Sequence, residues 1–180
     1  MPVRDTHRSN AIVEEFNQRA PQQVRRNYSF TGTWHATAEQ IFQLLCPARE
    51  ADWIPKWSAK ILYSSTGYAE DKCIFETPAD SAAGEGVWTF SSYKQNQLVE
   101  YVGFGPDSVT HGRVTVSENS DGTTSATWDI SVTALTQEGI SKVSKLPQGH
   151  QANSPAEKLV QHFLEKGEVA DMAALGNVHE

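Results

Sequence analysis

Residues 59–136 never show a helical period. The clearest stretch runs over 123–136. There Ala126, Trp128, Ile130, Val132 and Ala134 fall on one side of an extended chain, and Ser125, Thr127, Asp129, Ser131 and Thr133 on the other. That is the period-two pattern of a strand with one dry and one wet face. Further candidate strands lie at 59–65, 72–77, 87–94, 97–104 and 109–118. Short turn signals separate them: Thr66-Gly67, Gln95-Asn96, Gly105-Pro106 and Asp121-Gly122. Connections this short make hairpins, not parallel crossovers. The chain is therefore held to an antiparallel meander whose apolar face must be covered by something else.

The flanking sequence supplies one more strand and the cover. From Arg25, the residues Tyr28, Phe30 and Trp34 share one face, with Asn27, Ser29, Thr31 and Thr33 on the other. The period then changes. Thr37 and Gln40 have capping-box spacing, Ile41, Phe42, Leu44 and Leu45 form an apolar side, and Pro47 ends the helix. A second short helix is expected over 48–53, stopped by Pro55. Residues 138–153 are polar with Gly and Pro, and read as a loop. Ser154, Pro155 and Glu157 punctuate the start of a final helix, expected to run to about residue 177. Ahead of the first strand, Ile12, Val13, Phe16 and Ala20 fall at helical spacing, and Pro21 closes that segment. The expected organisation is a helical extension over 1–24 and one domain over 25–180. Its class is α+β: a seven-stranded curved antiparallel sheet wrapped around a long C-terminal helix, with two short helices after the first strand.

Several functions are disfavoured at once. The formal net charge is −7. Residues 1–26 hold Arg4, Arg8, Arg19, Arg25 and Arg26 against Asp5, Glu14 and Glu15, so the remainder is more acidic still. Such a body is a poor partner for nucleic acid. No stretch reaches the roughly 18 apolar residues of a membrane span. The first ten residues are polar, and Cys46 and Cys73 are the only cysteines, so a cytoplasmic chain with reduced thiols is expected. There is no Gly-x-Ser-x-Gly, P-loop, Gly-x-Gly-x-x-Gly, Cys-x-x-Cys or His-Glu-x-x-His. The six histidines show no metal-ligand spacing, so neither a metal nor an organic cofactor is expected.

The candidate site residues are mostly aromatic. Trp53 and Trp57 flank a proline turn, where they either wall a cavity and offer indole N–H groups or simply pack the short helices. Trp34, Trp88, Phe90, Trp128 and Ile130 are expected to face the C-terminal helix. Tyr63, Tyr101, Glu76 and Glu100 are the polar groups best placed to reach the interior. Glu100 and Tyr101 are adjacent, so only one can, and the pattern does not decide which. His111 and Arg113 are expected to point outward. Along the final helix one stripe collects Ala156, Leu159, Val160, Phe163, Leu164, Gly167, Ala170 and Ala174. Its second half is small, which predicts a pocket beside Gly167, Ala170 and Ala174, entered under the loops 78–86 and 138–153.

The element order, together with two stretches, resembles the START-like (SRPBCC, helix-grip) superfamily. One runs from Ala36 to Pro47 with the helix start Ala38-Glu39-Gln40-Ile41-Phe42. The other is Asp52-Trp53-Ile54-Pro55-Lys56-Trp57, and Thr124 to Trp128 adds to it. The similarity covers about residues 25–177 and is nearest to bacterial members related to polyketide cyclases and lipid-transport proteins. It implies a hydrophobic cavity between sheet and C-terminal helix. The expected function is to bind, carry or sequester a small hydrophobic or aromatic molecule. Two alternatives stand beside it: a polyketide cyclase- or dehydratase-like enzyme using the same cavity, and a protein-interaction module of the chaperone-regulator or toxin kind. The stripe of the N-terminal extension offers a homodimer contact.

Overall fold

The computed structural model describes residues 24–171. The expected N-terminal helix, with any dimer contact it makes, and Ala174 lie outside them. Strand β1 (Arg25–Trp34) leads into helix α1 (Ala38–Gln43) and a 3-10 turn, Glu50–Asp52. Six strands follow: β2 (Lys60–Tyr63), β3 (Ile74–Thr77), β4 (Gly86–Lys94), β5 (Leu98–Phe104), β6 (Ser108–Glu118) and β7 (Thr124–Ala134). The chain closes with helix α2 (Gln137–Val143), the short strand β8 (Gly149–His150) and helix α3 (Pro155–Lys166).

The strands form one sheet in the order β2-β3-β4-β5-β6-β7-β1-β8. All pairs are antiparallel except β1 with β8. The sheet thus has eight strands where seven were expected, because His150 in the supposed loop pairs with Ser29. That same stretch also holds α2, capped by the Thr136 hydroxyl accepting from the Gly139 N–H. Gly139 sits where a Cβ would collide with the Asp107 carbonyl, so only glycine lets this helix close on the β5–β6 turn. Its few apolar residues, Ile140 and Val143, were too sparse for a period to show.

The alternation sets one apolar inner face. Trp34, Phe75, Phe90, Val99, Val114, Ala126 and Trp128 share a buried cluster with Ile41, Phe42, Leu44, Leu45 and Trp53 of the short helices. The α1 capping box forms as its spacing predicts, between Thr37 and Gln40. A smaller cluster, Val132, Ala134 and Val143, lies under α2. Helix α3 crosses β1 at close range: a Cβ on Gly32 would meet the Glu157 Cα at 3.2 Å. The Trp34 indole donates to the Glu157 carbonyl at 3.0 Å. Ser154 caps α3, but the Glu157 carboxylate accepts from the Thr33 N–H and does not complete a capping box.

The C-terminal helix is shorter than its stripe implied. It ends at Lys166 with Gly167 as a left-handed cap (φ 72°), whose N–H donates to the Phe163 carbonyl at 2.8 Å. Glycine is the residue that reaches this conformation without strain. A 12-residue helix spans about 18 Å, so it covers only part of the sheet. No helix among the described residues is long and apolar enough to cross a membrane.

Candidate functional site: an aromatic cavity with one carboxyl

The inner face that α3 leaves uncovered borders a cavity of about 520 Å³. Its floor is the sheet, from Phe75 on β3 through Trp88, Phe90, Tyr101, Thr110 and Val114 to Trp128, Ile130, Phe30 and Tyr28. Its roof is the 3-10 segment with Glu50, Trp53, Ile54 and Trp57, together with Pro155, Ala156 and Leu159 of α3. Ala82 and Ala83 from the β3–β4 loop and Leu146 after α2 complete the rim.

Two glycines shape the floor. A Cβ on Gly103 would overlap the Trp88 ring, and one on Gly112 would overlap the Tyr101 ring. Both rings therefore lie down across the neighbouring strand, which leaves the space above them open. They meet edge to face, with centroids 6.0 Å apart, and Phe75 stacks on Trp88. At the other side Phe30 stacks on Trp128 at 5.2 Å. Such pairs add roughly 0.5–1.5 kcal/mol each beyond area burial, so the aromatic wall holds its shape without a guest.

The indole N–H groups are mostly spent on the fold. Trp53 donates to the Leu44 carbonyl and Trp57 to the Pro47 carbonyl, both at 2.8 Å. Trp88 donates to the Thr77 hydroxyl at 2.9 Å. These three line the cavity with their N–H groups already bonded, so of the two readings of Trp53 and Trp57 the one that offers N–H groups to a guest is not met. Of the five indoles, Trp128 alone has no acceptor among the described residues.

The polar lining is sparse: Glu50, Tyr28, Tyr101, Ser108 and Thr110. No lysine, arginine, histidine or aspartate belongs to it. The Glu50 carboxyl has no hydrogen-bond or ion-pair partner among the described residues; the residue is half-buried and lines the cavity. Burial raises it to about 8, so at neutral pH it is mostly protonated. Burial also pushes the Tyr101 phenol up, with the charges of Glu50 and Tyr28 adding to the effect. The Tyr28 phenol is raised by burial too.

Of the expected residues, Trp53, Trp57, Trp88, Phe90, Tyr101, Trp128 and Ile130 are brought together here. The β5 ambiguity resolves in favour of Tyr101, because Tyr101 lies opposite Gly112 and Phe90 on the inner face. Glu100 and Glu76 point outward, the first 3.6 Å from Arg113 and the second 3.2 Å from Lys60. Arg113 and His111 are on that outer face as expected. Tyr63 does not reach the interior. A register shift in edge strand β2 puts it opposite Ile74, 61% exposed. Phe163 packs against the core but not around the cavity. Gly167 is an exposed cap and Ala170 is buried in the coil beyond it. The pocket therefore lies beside the first half of α3, not the second.

Glu50 is the residue that sequence reasoning passed over. A signal existed: in a helical turn over 48–53, Glu50 and Trp53 are spaced i,i+3 and share a side. Arg49 and Asp52 pair with each other on a different side. An inward Trp53 thus brings Glu50 in with it.

No family model and no curated protein matches this sequence. Solved structures do. Norcoclaurine synthase from Thalictrum flavum superposes with a TM-score of 0.55 at 13% identity, over 79% of this chain and 88% of that one. The protein XoxI from Bacillus cereus gives a TM-score of 0.51 at 14% identity, over 79% of this chain and 99% of that one. The chain shares the fold of these proteins, a curved antiparallel sheet gripping a C-terminal helix. At such identities the likeness is one of architecture, and a helix-grip sheet hosts unrelated activities. Function has to be argued from the cavity.

Proposed function

We propose that this helix-grip protein binds, carries or sequesters a small hydrophobic or aromatic molecule, in the cytoplasm and with neither metal nor organic cofactor. The observation that carries the reading is the cavity itself. Its volume falls within the roughly 300–1,000 Å³ of small-ligand sites, and its lining, largely aromatic with a few convergent polar groups, is of the same kind. Interiors normally pack to crystal density, and a large void is costly unless something fills it. Here glycines at 103 and 112 hold two rings flat and keep the space clear. A protein-interaction module would have no use for that space.

The test is uptake of the neutral fluorophore N-phenyl-1-naphthylamine, with native mass spectrometry of protein purified from cells. Thr110→Phe places a ring in the cavity from its floor. It should abolish probe uptake while circular dichroism stays unchanged. A parent protein that takes up no probe and retains no guest would remove the support for binding.

A second reading rests on Glu50. A carboxyl poised near neutrality beside a phenol is suited to proton transfer, as a cyclase- or dehydratase-like reaction needs. It predicts turnover of a poly-β-keto substrate that Glu50→Gln reduces by roughly 10²-fold or more, against no turnover above background for a carrier.

A further inference from the structure

The lining of the cavity is unbalanced in its hydrogen-bonding groups. The Trp128 N–H is a donor with no acceptor among the described residues, and Tyr28, Tyr101, Ser108 and Thr110 can each donate. The Glu50 carboxyl lies among them, also without a partner. No cation is there to hold a carboxylate, and no obligate acceptor is left waiting for a donor. We propose that the cavity selects neutral apolar molecules bearing a carbonyl or ether oxygen, and that the Glu50 carboxyl donates the hydrogen bond that anchors this oxygen.

This rests on the binding reading and narrows it to a ligand class. An anionic guest such as a fatty carboxylate would enter without a counter-charge, and an unpaired buried charge is strongly disfavoured. An ammonium guest would supply a counter-charge for ionised Glu50. The resulting ion pair would be stripped of water with only hydroxyls to complete its hydrogen bonds, an arrangement that at best breaks even. A neutral oxygen acceptor needs neither ion. It satisfies the carboxyl in the form that burial already favours.

The pH dependence follows. The titratable groups that share the cavity with Glu50 are Tyr101 on β5, which its charge reaches, and Tyr28 on β1, both phenols pushed upward. The residues presented by α3 and by the segment after α2 are Pro155, Ala156, Leu159 and Leu146, none of which titrates. With the carboxyl at about 8, affinity for a neutral acceptor should be level below pH 7. It should then fall roughly thirtyfold by pH 9.5 as the donor is lost.

The experiment is titration calorimetry with four probes of one shape: 2-acetylnaphthalene, 2-ethylnaphthalene, 2-naphthoate and 2-naphthylmethylammonium. At pH 6 the ketone should bind at least tenfold more tightly than the hydrocarbon, and more tightly still than the naphthoate. Glu50→Gln keeps an N–H donor in place of the O–H. It should retain ketone binding and abolish the fall between pH 7 and 9.5. Glu50→Leu should lose most of the ketone's advantage over the hydrocarbon, the remainder coming from the hydroxyl and indole donors, and if that variant does not fold, the Glu50→Gln pH curve decides alone. Equal binding of ketone and hydrocarbon by the parent, with no pH dependence, would overturn the anchor and leave the cavity reading standing. Tighter binding of the naphthoate or the ammonium probe would overturn the ligand class. No binding of any probe would overturn both readings.

Discussion

The outer face of the sheet and the cavity behind it hold carboxyl groups in opposite conditions. Outside, Glu76 and Glu100 border solvent and pair with Lys60 and Arg113, at 3.2 and 3.6 Å. Inside, Glu50 has no partner among the described residues and aromatic rings around it. The outer pairs are screened and replaceable, as exposed ion pairs generally are. The inner group has its chemistry altered by the loss of water alone. The same contrast separates the apolar residues: Trp34 is 1% exposed and Phe104 58%. The inner strand face thus stores stability, while the outer one, a residue away, contributes little.

That contrast can be broken or sharpened by substitution. The largest effect belongs to Trp34→Ala, which empties the core under α3 and frees the Glu157 carbonyl. A loss of about 3–5 kcal/mol is expected. Phe104→Ala on the outer face should change stability by less than about 1 kcal/mol. Urea denaturation of the two variants measures the gap, and similar losses would erase the distinction between faces.

Next comes Gly112→Ala. Its Cβ would displace the Tyr101 ring into the cavity, an overpacking cost of about 1–3 kcal/mol. Neutral-probe uptake should fall with it. The neighbouring outward substitution, His111→Ala, should stay within about 0.5 kcal/mol and leave uptake unchanged.

Glu50→Gln tests the electrostatic half of the comparison. The folded carboxyl is raised from 4.5 to about 8, so the folded state keeps a proton that the unfolded chain releases between those values. Parent stability should therefore fall as pH rises from about 4.5 to about 8 and level off above. The variant lacks this titration. It should match the parent near pH 4.5 and exceed it by about 1–3 kcal/mol at pH 8. That is less than the full shift would give, because part of the side chain borders the cavity. Thermal melts across this range read the difference, and a constant offset would mean that Glu50 ionises as it does in water. The smallest effect is expected outside, where Glu76→Gln removes an exposed pair worth less than about 1 kcal/mol, with a melt that is lowered only slightly.

Much of this molecule was legible in its sequence where spacing is short. Alternation on Phe30, Trp34, Trp88, Phe90, Trp128 and Ile130 assigned the inner face because a strand's side chains have only two directions. The Thr37 and Ser154 caps and the Trp53–Trp57 segment were legible for the same reason. Each is a local rule acting within a few residues. The end of α3 was misjudged because a stripe of small residues looks the same along a continuing helix and beyond a glycine cap. Only the left-handed backbone at Gly167 distinguishes them.

What the sequence by itself determined is the order of β1, α1 and the six-strand meander, the start of α3, and which face of β1, β4 and β7 is dry. It determined these because propensity, capping and alternation are near-neighbour effects. Only the tertiary structure decided that Tyr101 and not Glu100 points inward, since that depends on Gly112 lying opposite to receive the ring. It likewise decided that Glu50, and neither Glu76 nor Glu100, is the carboxyl that lines the cavity. Solvation is set by what closes over a residue from distant parts of the chain, and no local pattern records that.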